Sequence, residues 1–261
     1  MRTNLDNKVV VVTGGYGAIG TAICEEFLKN GATVVVAGRN EESLKKSVES
    51  FKQTYTAVSG IVVDVSDKLS VEAMVRETVN RYGKIDCIVN NAGINGGPDQ
   101  RKPVTEYDDS LWDAILAVDL NGVYYCSKYA AREMVKQGGG SIINISSITG
   151  LTPLRLQCAF TAAKAGVVNF SKAIALELAE HNIRVNVIAP GSILFEGTRK
   201  LFYADKERAE ALLSHIPQHR AGTPEDIAAM TCFLASEDAS YMTGSVVTID
   251  GGWTCGYTRD F

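Results

Sequence analysis

The chain has 261 residues, 46% of them hydrophobic and 21% charged, with a formal net charge of −4. These values are average for a globular protein, and a chain of this size buries enough apolar surface in one domain to need neither disulfides nor a structural metal. Twenty-six basic against thirty acidic residues leave no cationic excess to neutralise phosphates, which argues against nucleic acid as a partner. No apolar run reaches the roughly 18–20 residues that cross a bilayer, so no membrane span is expected. The polar start Met1-Arg2-Thr3-Asn4 lacks the pattern of a secretory leader. The six cysteines are scattered, with no C-x-x-C and no histidine at metal-ligand spacing, so no metal centre is expected either. A cytoplasmic setting is the expectation.

In chain order, short runs rich in β-branched residues recur at Val9–Val12, Thr33–Ala37, Gly60–Val63, Ile85–Val89, Ser141–Ile145, Arg184–Ile188 and Val246–Ile249. Most are apolar at nearly every position, the pattern of parallel strands covered on both faces. Helical stretches with charged faces lie between them, over 18–29, 41–53, 68–81, 108–137, 158–181 and 224–235. The alternation predicts one α/β domain over residues 1–261, a doubly wound, seven-stranded parallel sheet with helices on both faces. Right-handed crossovers place the strand C-termini on one edge, where ligands bind in this architecture. Segments 94–107 and 192–221 break the rhythm just after strands, and are expected to be irregular walls of a site.

The first strand runs into Thr13-Gly14-Gly15-Tyr16-Gly17-Ala18-Ile19-Gly20, with Gly15, Gly17 and Gly20 spelling G-x-G-x-x-G ahead of a helix. A turn without Cβ atoms lets backbone N–H groups and the helix N-terminus reach a pyrophosphate. A tight turn without a ligand is the plain alternative. The second strand ends Gly38-Arg39-Asn40. Where NAD-binding units carry an acidic residue for the ribose hydroxyls, Gly38 offers no carboxylate and Arg39 offers a guanidinium to a 2′-phosphate. NADP is therefore expected in preference to NAD, with a merely solvated arginine as the alternative. Asp64-Val65 ends the third strand with a carboxylate that suits an adenine amino group. Asn90-Asn91-Ala92-Gly93 ends the fourth with small residues that let the backbone pass beside a cofactor. Both are also ordinary turn chemistry.

With these motifs, and with Gly140-Ser141-Ile142-Ile143-Asn144-Ile145-Ser146-Ser147, Arg184-Val185-Asn186-Val187-Ile188-Ala189-Pro190-Gly191 and Thr248-Ile249-Asp250-Gly251-Gly252, the sequence resembles the short-chain dehydrogenase/reductase family over its whole length. The resemblance implies a Rossmann fold and hydride transfer between NAD(P) and an alcohol or carbonyl carbon. It implies cofactor contacts at Gly14, Gly15, Tyr16, Gly17, Ile19, Gly20, Arg39, Asn40, Asp64, Val65, Asn91, Ala92, Gly93, Lys164, Pro190, Gly191 and Ile193.

The family's catalytic set is a Tyr-x-x-x-Lys on a helix, a Ser thirteen residues before the Tyr, and an Asn on the preceding helix. Carried onto this chain, the Lys is Lys164 in Phe160-Thr161-Ala162-Ala163-Lys164 and the Ser is Ser147. The tyrosine position is then Phe160, and the asparagine position is Asp119. Ala18 also departs, standing at the second glycine of the family turn. Phenylalanine keeps the ring and loses the proton, and positioned acid–base catalysis is worth about 10²–10⁴-fold. Residual polarisation would fall to the Ser147 hydroxyl or a water near Lys164. Asp119 is either a proton acceptor or a partner for Lys164. Phe160 is an engineered replacement, a natural one in a lineage using another acid, or a natural one in a chain that binds NADP without turnover. Asp119 and Ala18, both off pattern, favour natural divergence. The function implied is an oxidoreductase with impaired or rerouted proton transfer; its alternative is a catalytically defective NADP-binding protein with a regulatory or assembly role.

On the substrate side, the family's Pro-Gly-x-Ile-x-Thr is kept at Ile193 and changed at Phe195, with Thr198 a replacement after a loop shift. Ser147, Arg155, Phe195 and Tyr203 are the candidate substrate contacts. A polyol, sugar or hydroxy acid would suit Arg155 and the polar loop Asn95–Lys102, although a plain surface arginine is the better-supported reading of Arg155. The resemblance further implies a homotetramer, and the aromatic tail Trp253–Phe261 is expected to pack on a neighbouring subunit.

Overall fold

Five consecutive buried residues form the first strand, β1 (Val9–Thr13). Its side chains alternate between two cores. Val10 and Val12 enter one with Val34 and Val36 of β2 (Thr33–Gly38), while Val11 and Val35 enter the other. This period of two is what a strand buried on both faces requires. The structure is a computed structural model and describes residues 3–97, 100–199, 203 and 205–256, without the side chain of Arg208. Its sheet adds β3 (Val58–Val62), β4 (Cys87–Asn90), β5 (Gly140–Ile145), β6 (Ile183–Pro190) and β7 (Val246–Ile249). All seven strands pair in parallel, in the order β3-β2-β1-β4-β5-β6-β7. The order reverses between β1 and β4, which opens the crevice used by ligands in doubly wound folds.

Helices cover both faces. On one, α1 (Ala18–Lys29), α2 (Glu41–Lys52) and α9 (Pro224–Ala235) bury Ile23, Phe27, Leu44, Val48, Ile227 and Leu234. On the other, α3 (Lys68–Tyr82), α5 (Gly122–Gln137) and α6 (Cys158–Leu178) bury Val71, Met74, Cys126, Met134 and Ala175. Their ends follow from local chemistry. The Asn40 side chain accepts from Ser43 N to cap α2, Thr223 caps α9 ahead of Pro224, and Gly83 ends α3 in the left-handed region that glycine tolerates.

The structure moves several boundaries: β4 starts at Cys87 rather than Ile85, and β6 runs on to Pro190 rather than ending at Ile188. Strand β3 begins at Val58 rather than Gly60, and the last turn expected of α6 is a separate 3-10 turn, Ala179–His181. The single helix expected over 108–137 is three pieces: α4 (Asp109–Leu116), a π-helical turn (Ala117–Asn121) and α5. An extra residue in that turn swings Asp119 inward, and such π-turns cluster at functional sites. Finally, 192–221 is not wholly irregular. It holds the single turn α7 (Glu196–Thr198) and α8 (Lys206–Leu213), a run of strong helix formers. Among the described residues no helix is long and apolar enough to cross a membrane.

Candidate functional site

At the sheet's switch point, Thr13 and Asn91 stitch β1 to the end of β4. The Thr13 hydroxyl accepts from Asn91 N at 3.0 Å and Ala92 N at 3.1 Å, and Asn91 Nδ2 donates to Thr13 O at 3.0 Å and Gly14 O at 3.1 Å. The glycine turn sits directly on this seam. A Cβ on Gly14, whose φ is +61°, would lie 2.9 Å from Ala92 Cα, and one on Gly20 would lie 2.2 Å from Gly14 O. No side chain caps the first turn of α1, so its N–H groups stay free for an anion. The turn opens onto a cleft of 380 Å³.

That cleft gathers Gly14, Tyr16, Gly17, Ile19, Gly20, Arg39, Asp64, Val65, Asn91, Ala92 and Gly93 from the expected cofactor contacts, and adds Ala18 and Gly38. The rest lie elsewhere. Gly15 is buried beneath the turn, where a Cβ would meet Val12 O at 2.9 Å, and Asn40 is occupied as the cap of α2. Lys164 is buried at 5% exposure, while Pro190, Gly191 and Ile193 line a second cavity. The adenosine end is stiff. Tyr16 lies over Gly38, where a Cβ would come 2.2 Å from the ring, and the Tyr16 hydroxyl accepts from Asn40 N at 3.0 Å. The ring thus fills the space in which an acidic side chain at position 38 would stand. Asp64 accepts from the Ser66 hydroxyl at 2.6 Å and from Ser66 N at 3.0 Å, and these bonds hold its carboxyl below the usual range, aided by the Arg39 charge.

The second cavity, 470 Å³, borders the cleft, and Ile19 and Phe195 line both. Its wall carries Ser147, Phe160, Arg155 and Phe195, as expected, and also Asn95, Arg101, Gln157, Ser192, Leu212 and Trp253. Tyr203 is not on the wall; its hydroxyl is 2.7 Å from the Ser192 hydroxyl. Thr198 lines the cavity, but its hydroxyl donates to Ile193 O at 2.7 Å and accepts from Phe195 N at 2.9 Å, tying off the α7 turn. Of the tail expected on a neighbour, 257–261 lies outside the described residues.

Behind the wall lies a buried ion pair. Lys164 Nζ is 3.0 Å from Asp119 Oδ2 and donates to Ile145 O at 3.2 Å, and Asp119 Oδ1 accepts from Ile94 N at 2.8 Å. Asp119 is wholly inaccessible, and the ammonium stands 5.5 Å from the Phe160 ring centroid, within cation–π range. Gly93 passes so close that a Cβ there would lie 2.8 Å from Asp119 Oδ2. Neither Asp119 nor Lys164 lines either cavity. Ser147, half-buried on the wall, accepts from Thr149 N at 3.2 Å and keeps its hydroxyl proton for a ligand. Below these residues, Asn90 Nδ2 donates to Asn144 Oδ1 at 2.7 Å and Asn144 Nδ2 to the Ser171 hydroxyl at 2.8 Å, fastening β4, β5 and α6 together. Among the described residues no group of three His, Cys, Asp or Glu side chains could hold a metal ion.

Comparison with known proteins agrees with this geometry. Residues 15–254 match the family model described as enoyl-(acyl carrier protein) reductase. The chain is 38% identical over 252 residues to 3beta-hydroxysteroid dehydrogenase 2 of Eggerthella lenta, covering 96% of each protein. It is 42% identical over 254 residues to the 3-oxoacyl-[acyl-carrier-protein] reductase FabG of Chlamydia pneumoniae, covering 97% of this chain and 100% of that one. A crystal structure of a gluconate 5-dehydrogenase from Burkholderia cenocepacia, in complex with NADP and tartrate, superposes with a TM-score of 0.92 at 30% identity, covering 98% of both chains. The chain belongs to the short-chain dehydrogenase/reductase family, a family of oxidoreductases.

Proposed function

We propose that the chain is an NADP-preferring oxidoreductase acting on a small hydroxyl or carbonyl compound, a sugar, polyol or hydroxy acid. The placing of a cavity walled by Ser147 next to the glycine-lined cleft carries this reading. The cleft fits a dinucleotide because a Cβ at Gly14 or Gly20 would fill the place where backbone must approach a pyrophosphate. Gly14, Gly17, Gly20 and the open first turn of α1 would hold the pyrophosphate, and Arg39 a 2′-phosphate. When bound, the cofactor supplies the hydride acceptor or donor.

In this chain Ser147 donates to the substrate oxygen and fixes its direction. Phe160 excludes water from one side and moves no proton, so the hydroxyl proton is exchanged with solvent through the cavity mouth. The Lys164 ammonium is matched by Asp119 rather than by a phenolate, and the pair holds α6 against β5. Lys164 would orient the nicotinamide ribose. A homotetramer working in the cytoplasm is the assembly we favour, from resemblance to the family. Sedimentation at micromolar concentration checks the assembly, and a monomer would refute it.

A panel of hydroxyl and carbonyl compounds assayed with NADP(H) and NAD(H) tests the activity. Turnover with a lower KM for NADP(H) is expected. Tight cofactor binding with no oxidation or reduction of any member would instead support the second reading, an NADP-binding protein with a regulatory or assembly role. That reading draws on one observation: Asp119 and Lys164 are both buried and neither lines the substrate cavity.

A further inference from the structure

Gly38 ends β2 where a carboxylate would receive the ribose hydroxyls of NAD, and its own backbone does not forbid one. It lies outside the left-handed region that favours glycine. The obstruction comes from another segment. The three atoms nearest to a Cβ at position 38 would be Cε1, Cδ1 and Cζ of the Tyr16 ring, all within 3.0 Å. That ring is anchored at both ends. Its body packs half-buried against the core that holds Val34 and Val36, and its hydroxyl accepts from Asn40 N at 3.0 Å. To make room for a side chain at position 38 the ring would have to swing out and give up that bond.

The same bond fixes the residue between. Gly38 O accepts from Val63 N at 3.1 Å, Asn40 N is held by Tyr16, and Asn40 Oδ1 accepts from Ser43 N at 2.8 Å. The main chain on both flanks of Arg39 is therefore tied down. Its side chain is exposed and lines the same cleft as Tyr16.

We propose that Tyr16 sets the cofactor preference of this chain as a positioning residue: its ring denies position 38 to an acid, and its hydroxyl holds Arg39 ready for a 2′-phosphate. The inference rests on the NADP-preferring reading above and gives it a cause outside β2. Discrimination then has a rejecting half and an attracting half. The free 2′-hydroxyl of NAD is left without a carboxylate acceptor at position 38. A 2′-phosphate meets a guanidinium whose main chain needs no further ordering, so less of the binding energy goes into fixing the loop. The two positions are coupled as a result. An acid introduced at position 38 cannot convert the site to NAD while the tyrosine ring stands over it.

Calorimetric titration with two adenosine fragments tests this without any turnover: 2′,5′-ADP carries the 2′-phosphate and 5′-AMP lacks it. The parent is expected to favour 2′,5′-ADP by about 10- to 100-fold. Tyr16→Phe removes only the hydroxyl; it should weaken 2′,5′-ADP about 3- to 10-fold and 5′-AMP by less than about twofold. A tyrosine that merely supported the fold would lower both fragments alike. Gly38→Asp alone should gain nothing for 5′-AMP, whereas Tyr16→Ala with Gly38→Asp should bind it about 10-fold more tightly than either single variant. Far-UV circular dichroism identifies a variant that fails to fold, and Tyr16→Phe decides the question by itself if Gly38→Asp does. A Tyr16→Phe variant that keeps the parent's preference, or a Gly38→Asp variant that reverses it unaided, overturns the inference. Failure of the underlying reading looks different. A parent that binds both fragments equally removes the NADP preference and the role of Tyr16 with it. A parent that favours 2′,5′-ADP and is indifferent to the Tyr16 variants keeps the preference and removes that role alone.

Discussion

The two halves of the site are specified by different means. In the cofactor half the backbone does the work, through glycines that a single Cβ would jam and a helix end left open. In the substrate half side chains do it, and three of them depart from the family pattern: Phe160, Asp119 and Phe195. The contrast teaches where change is tolerated. At Gly14 and Gly20 a Cβ would fall under 3 Å from main-chain atoms, so substitution there damages binding outright, whereas the exposed Ala18 of the same turn carries its methyl. A wall of side chains can exchange one chemistry for another without moving a strand.

The largest test of that contrast lies at position 160. Phe160→Tyr restores a proton donor beside Lys164, and a rate gain of about 10²–10⁴-fold on a turned-over substrate is expected by steady-state kinetics. A gain well below that range would mean that Asp119, by neutralising Lys164, denies the new phenol its activating charge; Phe160→Tyr with Asp119→Asn would then recover the remainder. Next comes Asp119→Ala, which leaves Lys164 buried without its partner. A loss of about 3–5 kcal/mol in unfolding free energy is expected by denaturant titration, and an unchanged midpoint would show that the pair is dispensable.

Other tests fall on the cofactor side. Gly20→Val should abolish measurable cofactor binding by fluorescence titration, whereas Arg39→Gln should weaken NADP⁺ about 10- to 100-fold and leave NAD⁺ unchanged. Equal losses for both cofactors would remove Arg39 from the 2′-phosphate. The Asp64 carboxyl is held below its usual range by Ser66, so its stabilisation is present above the unfolded carboxylate value of about 3.9 and fades as pH falls through the lower folded value. Asp64→Asn should therefore flatten slightly the acid limb of a stability–pH curve. At the limit of small effects, burial pushes the Cys87 and Cys126 thiols up to about 12 and those of Cys24 and Cys232 higher still. Iodoacetamide at mildly alkaline pH should mark half-buried Cys158 and exposed Cys255 and spare the other four, as read by mass spectrometry.

The sheet was legible from the sequence because strands buried on both faces carry uninterrupted β-branched runs, such as Val9–Val12. The cofactor turn was legible for a related reason: Gly14 and Gly20 answer to sterics that act within a few residues. What stayed hidden depends on contacts between distant segments. Nothing local marks the π-turn at Ala117–Asn121, which exists because Asp119 finds Ile94 N and Lys164 across the fold. The pairing of Tyr16 with Gly38 is likewise invisible in one dimension. Arg101, Asn95 and Gln157 were part of a polar loop or a nondescript turn until folding set them on one wall. The helix Lys206–Leu213 is a different case. Its composition was helical all along, and its place after a strand end drew it into a loop.

The buried pair of Lys164 and Asp119 has one more implication, for what selection has been acting on. Two charges sealed from water gain little for the fold, and apolar residues of like size often serve it as well or better. A double replacement, Lys164→Met with Asp119→Leu, would thus be expected to fold at least as firmly as the parent. If it did, the pair's presence would owe nothing to architecture. It would be a cost carried in the interior for the sake of what docks beside it, and a chain in free drift toward inactivity would have been free to shed it.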